Sequence, residues 1–338
     1  MLSFLPGPLL LVINLLLVSV NTCIFSLPIL VMSIVRLIFP VRAVHRGIEK
    51  ANNAIYRQWS GVNGLIIGLT NRIHWRVSGV ENLCIKDSCV LICNHLSWAD
   101  IVVLCHVMRS HLPIPKFFLK HSLIYIPVVG LVCLGLGMPF MRRYSREQLM
   151  KNPALKTKDL ATTRRACRRL VLAPSTLVNF CEGTRFTPAK AKAARSPYRH
   201  LMPPKAAGLG FAMGQIGRDI DTIVNVTIAY PQNRVKPFIA LLKGDMHEVY
   251  FHVETIPVTQ ELSGDYVKDK QFKHFFTMWL RDIWQKKDER LATEVYPHES
   301  VGLAGPTVSD ITPEEAPAPH AHEPEGAPTA APAENKSR

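Results

Sequence analysis

The chain has 338 residues, which is enough for one substantial domain with additional segments. Its formal net charge of +14 indicates an anionic partner, either nucleic acid or an anionic membrane surface. The eight cysteines are scattered and form no C-x-x-C pair, which argues against a disulfide scaffold and a zinc site and is typical of a reducing compartment.

The N-terminal segment is apolar, and residues 1–35 contain no charged side chain. This run exceeds the roughly 20 residues that span a bilayer. A secretory signal peptide does not fit, because a basic n-region and an A-x-A-like cleavage site are both missing. We therefore assign residues 1–44 to a membrane anchor. Asn21 and Pro28 interrupt the run, so one tilted span and a re-entrant hairpin of two short helices both remain open.

Basic side chains follow the apolar run directly, at Arg36, Arg42, His45 and Arg46. By the positive-inside rule, the rest of the chain faces the cytoplasm, at the cell inner membrane or, in a eukaryote, at the endoplasmic reticulum. Residues 45–74 are predicted to be an interfacial helical segment, because apolar residues recur there at helical spacing among charged ones. An ordinary surface helix is the alternative.

From Trp75 the chain alternates between strand-like and helix-like patterns, which predicts an α/β domain over residues 75–297. Seven apolar runs are predicted to be strands, at residues 89–93, 116–119, 139–141, 176–180, 222–230, 238–242 and 248–256. Helical patterns cover residues 159–172, which are rich in arginine, and residues 265–287.

Two features distinguish the C-terminal part of the chain. Aromatic side chains recur at helical spacing from Phe272 to Trp284, which predicts core packing, with a lipid-facing stripe as the alternative. Residues 298–338 are rich in Pro, Ala, Glu and Gly and are predicted to be a disordered tail, because they cannot bury enough apolar surface to order themselves.

The heptapeptide "NHLSWAD", Asn94 through Asp100, lies between two apolar runs. A continuous helix would point His95 and Asp100 about 140° apart, so a strand, a sharp turn and a helix fit better. Ser97 would be the N-cap, and Asp100 three residues later would reach back to one ring nitrogen of His95. The pair predicts a general base with an orienting carboxylate. A helix cap beside an unrelated turn histidine is the alternative.

Two further polar turns end predicted strands. In "NFCEGTRF" Gly183 allows close approach of the backbone to a ligand, while Thr184 and Arg185 are suited to hold a phosphate. In "GMPFMRR" two arginines follow the short strand. Each basic turn alone is more typical of a solvated loop, and only their combination with the His/Asp pair indicates a functional site.

With these motifs the sequence resembles the glycerolipid acyltransferase family, specifically the 1-acylglycerol-3-phosphate (lysophosphatidic acid) acyltransferases. The resemblance covers about residues 75–260 and rests on four ordered blocks. They are Asn94, His95 and Asp100; Gly137, Phe140, Met141 and Arg143; Phe180, Glu182, Gly183, Thr184 and Arg185; and the strand "IVNVTIAYP" at residues 223–231.

The resemblance implies a fold with a mixed central sheet flanked by helices, beside an N-terminal membrane-embedded helix or helical hairpin. It implies transfer of a fatty acyl group from acyl-CoA or acyl carrier protein to the sn-2 hydroxyl of 1-acylglycerol-3-phosphate, giving phosphatidic acid. His95 would deprotonate the hydroxyl, and Asp100 would orient His95. Acceptor binding is implied for Arg143, Glu182, Gly183, Thr184 and Arg185. No metal or bound cofactor is required, and the partners are the lysophospholipid, the acyl thioester and an anionic membrane.

The sequence departs from the family pattern at three places. Arg142 stands where Asp is frequent and adds positive charge beside the implied phosphate site, which bears on head-group preference. Cys181 and Asn225 stand where Pro is usual and change backbone stiffness rather than chemistry. Lys116, Lys120 and Lys205 are further candidates for binding donor phosphates.

Other functions compete with this one. An acyltransferase that remodels a different lysophospholipid is the main alternative. A hydrolase lacks the G-x-S-x-G elbow it would need, and a nucleic-acid binder would leave the His/Asp turn unexplained. An inactive membrane scaffold would leave His95, Asp100 and Glu182 without a purpose.

Overall fold

The computed structural model describes residues 2–141, 150, 161, 164, 165, 167 and 173–297. Arg142 and Arg143, most of the arginine-rich segment at residues 159–172, and the predicted tail at residues 298–338 lie outside the described residues.

Two long helices form the N-terminal part, α1 (Gly7–Ile38) and α2 (Arg42–Thr70). α1 is continuous through Asn21 and Pro28, so the structure has one long helix where the sequence also allowed a hairpin of two short ones. By length and composition this helix is apolar enough to cross a membrane.

Polar contacts hold α1 against the rest of the protein along its length. Asn14 Nδ2 donates to the carbonyl of Leu242 at 2.8 Å. Asn21 Nδ2 donates to Asn63 Oδ1 of α2 at 2.9 Å. Near the end of α1, Arg36 forms an ion pair with Glu49 of α2. The opposite side of α1 exposes apolar side chains, among them Val12, Leu16, Ile24, Leu27, Val31 and Leu37.

Among the described residues, six strands form the main sheet, with the order β1-β8-β7-β2-β6-β3. β2, β3, β6 and β7 run parallel, whereas β1 and β8 run the opposite way, so the sheet is mixed as predicted. The strands are β1 (His74–Ser78), β2 (Cys89–Cys93), β3 (Pro115–Phe117), β6 (Thr176–Phe180), β7 (Thr222–Ala229) and β8 (Glu248–Pro257). β4 (Leu119–Lys120) and β5 (Phe140–Met141) form a separate two-stranded sheet.

Helices cover both faces of the main sheet and connect its strands. They are α3 (Ala99–Met108), α4 (Val129–Gly135), α5 (Pro188–Ala193), α6 (Ala206–Ile216), α7 (Pro237–Lys243) and α8 (Lys270–Arg290). 3₁₀ turns span His121–Tyr125 and Gln260–Leu262, and a π-helical turn, Leu291–Val295, follows α8. One core packs α2, α3 and α7 on one face of the sheet, and a second packs α6 and α8 on the other.

The strand prediction for residues 238–242 is wrong, because these residues lie in α7. A five-residue apolar run does not distinguish a strand from a short buried helix. Pro237 occupies the first turn of α7, where its missing N–H costs nothing, and Gly244 ends the helix at φ +78°. β7 already pairs with β2 and β8, so the segment between β7 and β8 has no free place in the sheet beside them.

The aromatic stripe of α8 packs into the protein core. Phe276 is fully buried, with ring centroids 6.0 Å from Tyr266 and 5.1 Å from Trp279, whereas Phe275 is 41% exposed. The helix begins at Lys270, five residues after the predicted start, because the Asp269 carboxylate accepts hydrogen bonds from the first free N–H groups.

We expect Phe276→Ala to lower the free energy of unfolding by about 3–5 kcal/mol, because it leaves a cavity in the core. The matched control is Phe275→Ala on the same helix, for which we expect a loss of less than about 1 kcal/mol. Denaturant unfolding in a non-ionic detergent measures both. Equal losses would show that the stripe is not divided into buried and exposed sides.

Candidate active site

The His95 and Asp100 side chains contact each other at the carboxyl end of β2. His95 Nδ1 lies 2.8 Å from Asp100 Oδ2, which matches the contact expected from the sequence. Asp100 is fully buried, whereas the His95 side chain is 17% exposed. The predicted cap is shifted by one residue, since α3 begins at Ala99 with Trp98 as its N-cap.

Four donors converge on the Asp100 carboxylate. Oδ2 accepts from the backbone N–H groups of Leu96 and Ser97 as well as from His95 Nδ1. Oδ1 accepts from the Tyr230 hydroxyl at 2.8 Å. Because a carboxylate with this many donors acts only as an acceptor, Nδ1 of His95 carries a proton and Nε2 is left as the basic nitrogen.

The Nε2 atom of His95 makes no hydrogen bond with any residue that the structure describes. Phe180, the last residue of β6, stacks on the imidazole with ring centroids 4.2 Å apart and an interplanar angle of 22°. The ring is therefore held by Asp100 on one edge and by Phe180 on one face, with Nε2 available to a substrate hydroxyl.

Asn94 fixes the turn that carries His95. Its side-chain amide exchanges two hydrogen bonds of 2.9 Å with the backbone of Ile228 in β7. Asn94 is fully buried, so these bonds continue the pairing of β2 and β7 one step beyond the end of β2. The position of Asn94 before His95 was the one sequence signal for this role.

Glu182 lies beneath His95 and is fully buried. Oε2 of Glu182 accepts from the backbone N–H of His95, and Oε1 accepts from Trp284 Nε1, both at 3.4 Å. Burial raises the pKa of the Glu182 carboxyl well above its usual value, while the Trp284 and His95 hydrogen bonds and the charge of Lys287 oppose this shift. This position suits a residue that stabilises the turn carrying His95 through its backbone N–H.

A buried lysine also belongs to this region. Lys287 of α8 donates to the carbonyl of Val226, and burial lowers the pKa of its ammonium group. The sequence predicted Trp284 only as a core residue and did not indicate Lys287, because α8 reaches the site only through the tertiary fold. Their spacing of three residues, which places them on one side of the helix, is the one signal that links them.

The cysteines beside the site are buried thiols. Burial raises the pKa of Cys181 to about 12 and the pKa of Cys93 well above its usual value. Ser97 is also buried, and its hydroxyl accepts the N–H groups of Ala99 and Phe238. None of these three side chains is prepared to act as a nucleophile.

The turn after β6 brings three of the predicted binding residues beside the His/Asp pair. Gly183 has φ +66°, and a Cβ there would lie 3.3 Å from the Lys205 side chain. Thr184 Oγ1 accepts from Lys190 Nζ at 3.1 Å. The exposed Arg185 guanidinium lies 5.5 Å from the ring centre of Trp98. Arg185, Lys190 and Lys205 thus surround one turn, an arrangement suited to an anionic substrate group.

The other candidate residues lie away from the His95 turn or outside the described residues. Gly137, Phe140 and Met141 lead into and form β5, but Arg143, which was predicted to bind the acceptor, lies outside the described residues. Lys116 is buried, 3.8 Å from Glu49. It lies in β3, away from the His95 turn.

The glutamate beneath the site gives a pH-dependent prediction. Because the pKa of Glu182 is raised on folding, the folded protein binds more protons than the unfolded protein above about pH 4.5. Relative to Glu182→Gln, the wild type should therefore lose stability as pH rises, by at most about 1.4 kcal/mol per pH unit. Denaturant unfolding at about pH 5 and pH 8 measures this difference, and a difference independent of pH would contradict it.

A protein-family model matches the part of the chain that carries this site. Residues 74–230 match the family described as Acyltransferase. Over these residues the chain resembles the acyltransferase family. The matched range includes the His95–Asp100 turn, the Glu182–Arg185 turn and Tyr230.

Curated acyltransferases are also similar in sequence. Lysocardiolipin acyltransferase 1 of Gallus gallus is 27% identical over 216 residues, covering 60% of this chain and 52% of that protein. The 2-acyl-1-lysophosphatidylinositol acyltransferase of Saccharomyces cerevisiae is 23% identical, covering 60% of each. The 1-acyl-sn-glycerol-3-phosphate acyltransferase gamma of Mus musculus is 24% identical, covering 60% of this chain and 52% of that protein. The chain thus spans about half the length of these relatives.

A solved acyltransferase has the same fold. The 1-acyl-sn-glycerophosphate (LPA) acyltransferase PlsC of Thermotoga maritima superposes with a TM-score of 0.51 at 15% identity, covering 83% of this chain and 96% of that one. This likeness confirms the predicted fold class, a mixed sheet flanked by helices.

Proposed function

We propose that this protein is a membrane-bound O-acyltransferase that moves a fatty acyl group from a thioester to the hydroxyl of a lysophospholipid. The observation that carries the proposal is the His95–Asp100 pair at the carboxyl end of β2, with its 2.8 Å contact and its free Nε2. The similarity of residues 74–230 to the acyltransferase family supports it.

In the proposed reaction His95 Nε2 takes the proton of the acceptor hydroxyl as its oxygen attacks the thioester carbonyl. A new C–O bond forms, the carbonyl electrons move onto oxygen, and the intermediate then collapses with cleavage of the C–S bond. The imidazolium returns its proton to the departing thiolate. Asp100 stabilises the imidazolium in between and keeps the ring in the required tautomer. The step needs no metal and no bound cofactor.

Binding of the acceptor phosphate is proposed for the turn after β6. Arg185 offers a planar donor set that suits a phosphate, Thr184 adds a hydroxyl, and Gly183 lets the backbone approach the ligand. We propose Arg143 as a second phosphate ligand from its place in the family motif. Glu182 contributes by holding the backbone of His95, in keeping with its burial.

The preferred acceptor in this proposal is 1-acylglycerol-3-phosphate, esterified at the sn-2 hydroxyl to give phosphatidic acid. The second candidate is a lysophospholipid with a larger head group. It is favoured by relatives named for lysocardiolipin and lysophosphatidylinositol. Arg142, where the family frequently has Asp, adds positive charge that bears on this choice.

We propose that α1 anchors the protein to the cell inner membrane, or to the endoplasmic reticulum in a eukaryote, with the α/β domain on the cytoplasmic side. The basic residues at the end of α1 and the start of α2, Arg36 and Arg42 among them, support this orientation. The contacts of α1 with the α/β domain at Asn14 and with α2 at Asn21 and Arg36 favour a helix that enters the membrane while bound to the rest of the protein.

The test is acyl transfer by the purified, detergent-solubilised full chain. The donor is a labelled long-chain acyl group carried on CoA or on acyl carrier protein. The acceptors are lysophosphatidic acid, lysophosphatidylinositol and monolysocardiolipin, and His95→Ala is the control. We expect phosphatidic acid to form fastest, and no product from the variant. A faster reaction with another acceptor would replace the preferred acceptor, and equal activity of wild type and variant would refute the proposed chemistry.

A further inference from the structure

A cavity of about 720 Å³ lies at the amino ends of β2, β3 and β6, whereas His95 lies at the carboxyl end of β2. One wall is α2, and the other is formed by the segments that precede β2, β3 and β6, including Ile85, Pro113 and Pro174. His95 follows β2, whereas Ile85 precedes it, and the five residues of β2 span about 17 Å. The cavity is therefore separate from the candidate active site.

Four cations from the part of the chain that the structure describes line this cavity. Arg46, Lys50 and Arg57 recur at helical spacing on one side of α2, and Lys86 lies opposite them before β2. None of the four makes a hydrogen bond or an ion pair with a residue that the structure describes. Four unpaired positive charges around one concave surface repel one another and would be stabilised by a bound anion.

The one carboxylate that the described residues contribute to the lining does not neutralise these cations. Glu49 is buried, forms an ion pair with Arg36 at 2.9 Å and lies 3.8 Å from Lys116. Asn53 is also engaged, since its side chain accepts from the N–H of Ile114 and donates to the carbonyl of Glu49. The cavity thus combines apolar walls with unpaired basic side chains.

We propose that this cavity is a binding site for a phosphate-bearing anion, held by Arg46, Lys50, Arg57 and Lys86. Arginine suits the paired oxygens of a phosphate, and lysine adds point charges. The apolar wall at Ile85 and Pro113 would contact the organic part of the ligand. This site does not depend on the proposed acyl transfer.

Two sources share this phosphate chemistry. One is the head group of an anionic phospholipid, because α2 runs back along α1, whose last turn exposes Leu37 and Ile38. The other is a soluble phosphate ester. The experiment therefore uses one probe of each kind, a short-chain, water-soluble phosphatidylglycerol and ADP, with short-chain phosphatidylcholine as the zwitterionic reference.

Binding is measured by isothermal titration calorimetry of the full chain in a non-ionic detergent. The test variant is Arg46→Gln/Lys50→Gln/Arg57→Gln, in which glutamine keeps the helix propensity of α2. The matched control, Lys268→Gln/Lys270→Gln/Lys273→Gln, removes the same charge from exposed positions around the start of α8. Lys86→Gln tests the opposite wall, and Arg185→Gln tests whether the probe binds at the active site instead.

We expect the α2 variant to bind the preferred probe roughly 100-fold or more weakly, because each charge-assisted hydrogen bond contributes about a factor of ten. Lys86→Gln should weaken binding about tenfold, and the α8 control and Arg185→Gln should change it less than about threefold. Tighter binding of phosphatidylglycerol identifies a lipid head group, and tighter binding of ADP identifies a soluble ester. The inference is overturned if wild type binds neither probe, or if the control or Arg185→Gln loses as much as the α2 variant.

Discussion

Replacement of His95 by glutamine should lower kcat for acyl transfer by about 10²–10⁴-fold, because it removes the group that takes the proton from the acceptor hydroxyl. The protein should remain folded, since the His95 side chain is partly exposed and only its contacts with Asp100 and Phe180 are lost. Steady-state kinetics at saturating acceptor, with the unfolding midpoint recorded in parallel, measures both effects.

The matched control is His111→Gln. His111 is also partly buried and makes one Nδ1 hydrogen bond of 2.8 Å, to the carbonyl of Leu83, on the side of the domain where α3 ends. We expect its kcat to change less than about threefold. Full activity in His95→Gln, or an equal loss in both variants, would remove His95 from the mechanism.

Asp100→Asn should lower kcat by about 10²–10⁴-fold with little change in structure. The Asn oxygen can still accept from Leu96, Ser97 and His95 Nδ1, and its NH₂ group can donate to Tyr230, whose hydroxyl also accepts. What is lost is the negative charge that stabilises the imidazolium. The variant therefore isolates the electrostatic role of Asp100 from its structural one.

A double-mutant cycle distinguishes this electrostatic role from a general loss of structure at the site. Because Asp100 acts through His95, the variant His95→Gln/Asp100→Asn should be no less active than His95→Gln alone. Tyr230→Phe removes one donor to Asp100 and should cost only a few-fold in kcat. If the two main substitutions multiplied their effects, Asp100 would act on something other than His95.

A sequence motif brings residues to one site but does not show which of them are exposed and which are buried. Arg185 and Thr184 lie on the accessible turn beside His95, as their motif implied, whereas Glu182 of the same motif is fully buried. A motif gives the order of residues along the chain, but their burial depends on what packs beneath them. Here that element is α8, about 100 residues away, which contributes Trp284 and Lys287.

Local sequence determined the elements that need only near neighbours. The bounds of β2 and β6 were predicted correctly, because each is a continuous apolar run ended by a polar turn. The His95–Asp100 contact joins residues five apart, so the strand–turn–helix pattern was sufficient to predict it. Charge-free composition likewise indicated that residues 1–35 form an apolar segment suited to a membrane.

Tertiary structure decided whatever depends on residues far apart in the chain. Residues 238–242 are a helix because β7 and β8 pair directly with each other, and a short apolar run is compatible with either state. Tyr230 reaches Asp100 only because β7 lies beside β2. The cationic cavity joins α2 to segments some 30 to 130 residues away, and a linear pattern of basic residues does not show which of them face one another. Such contacts depend on packing and strand order, which short-range periodicity does not encode.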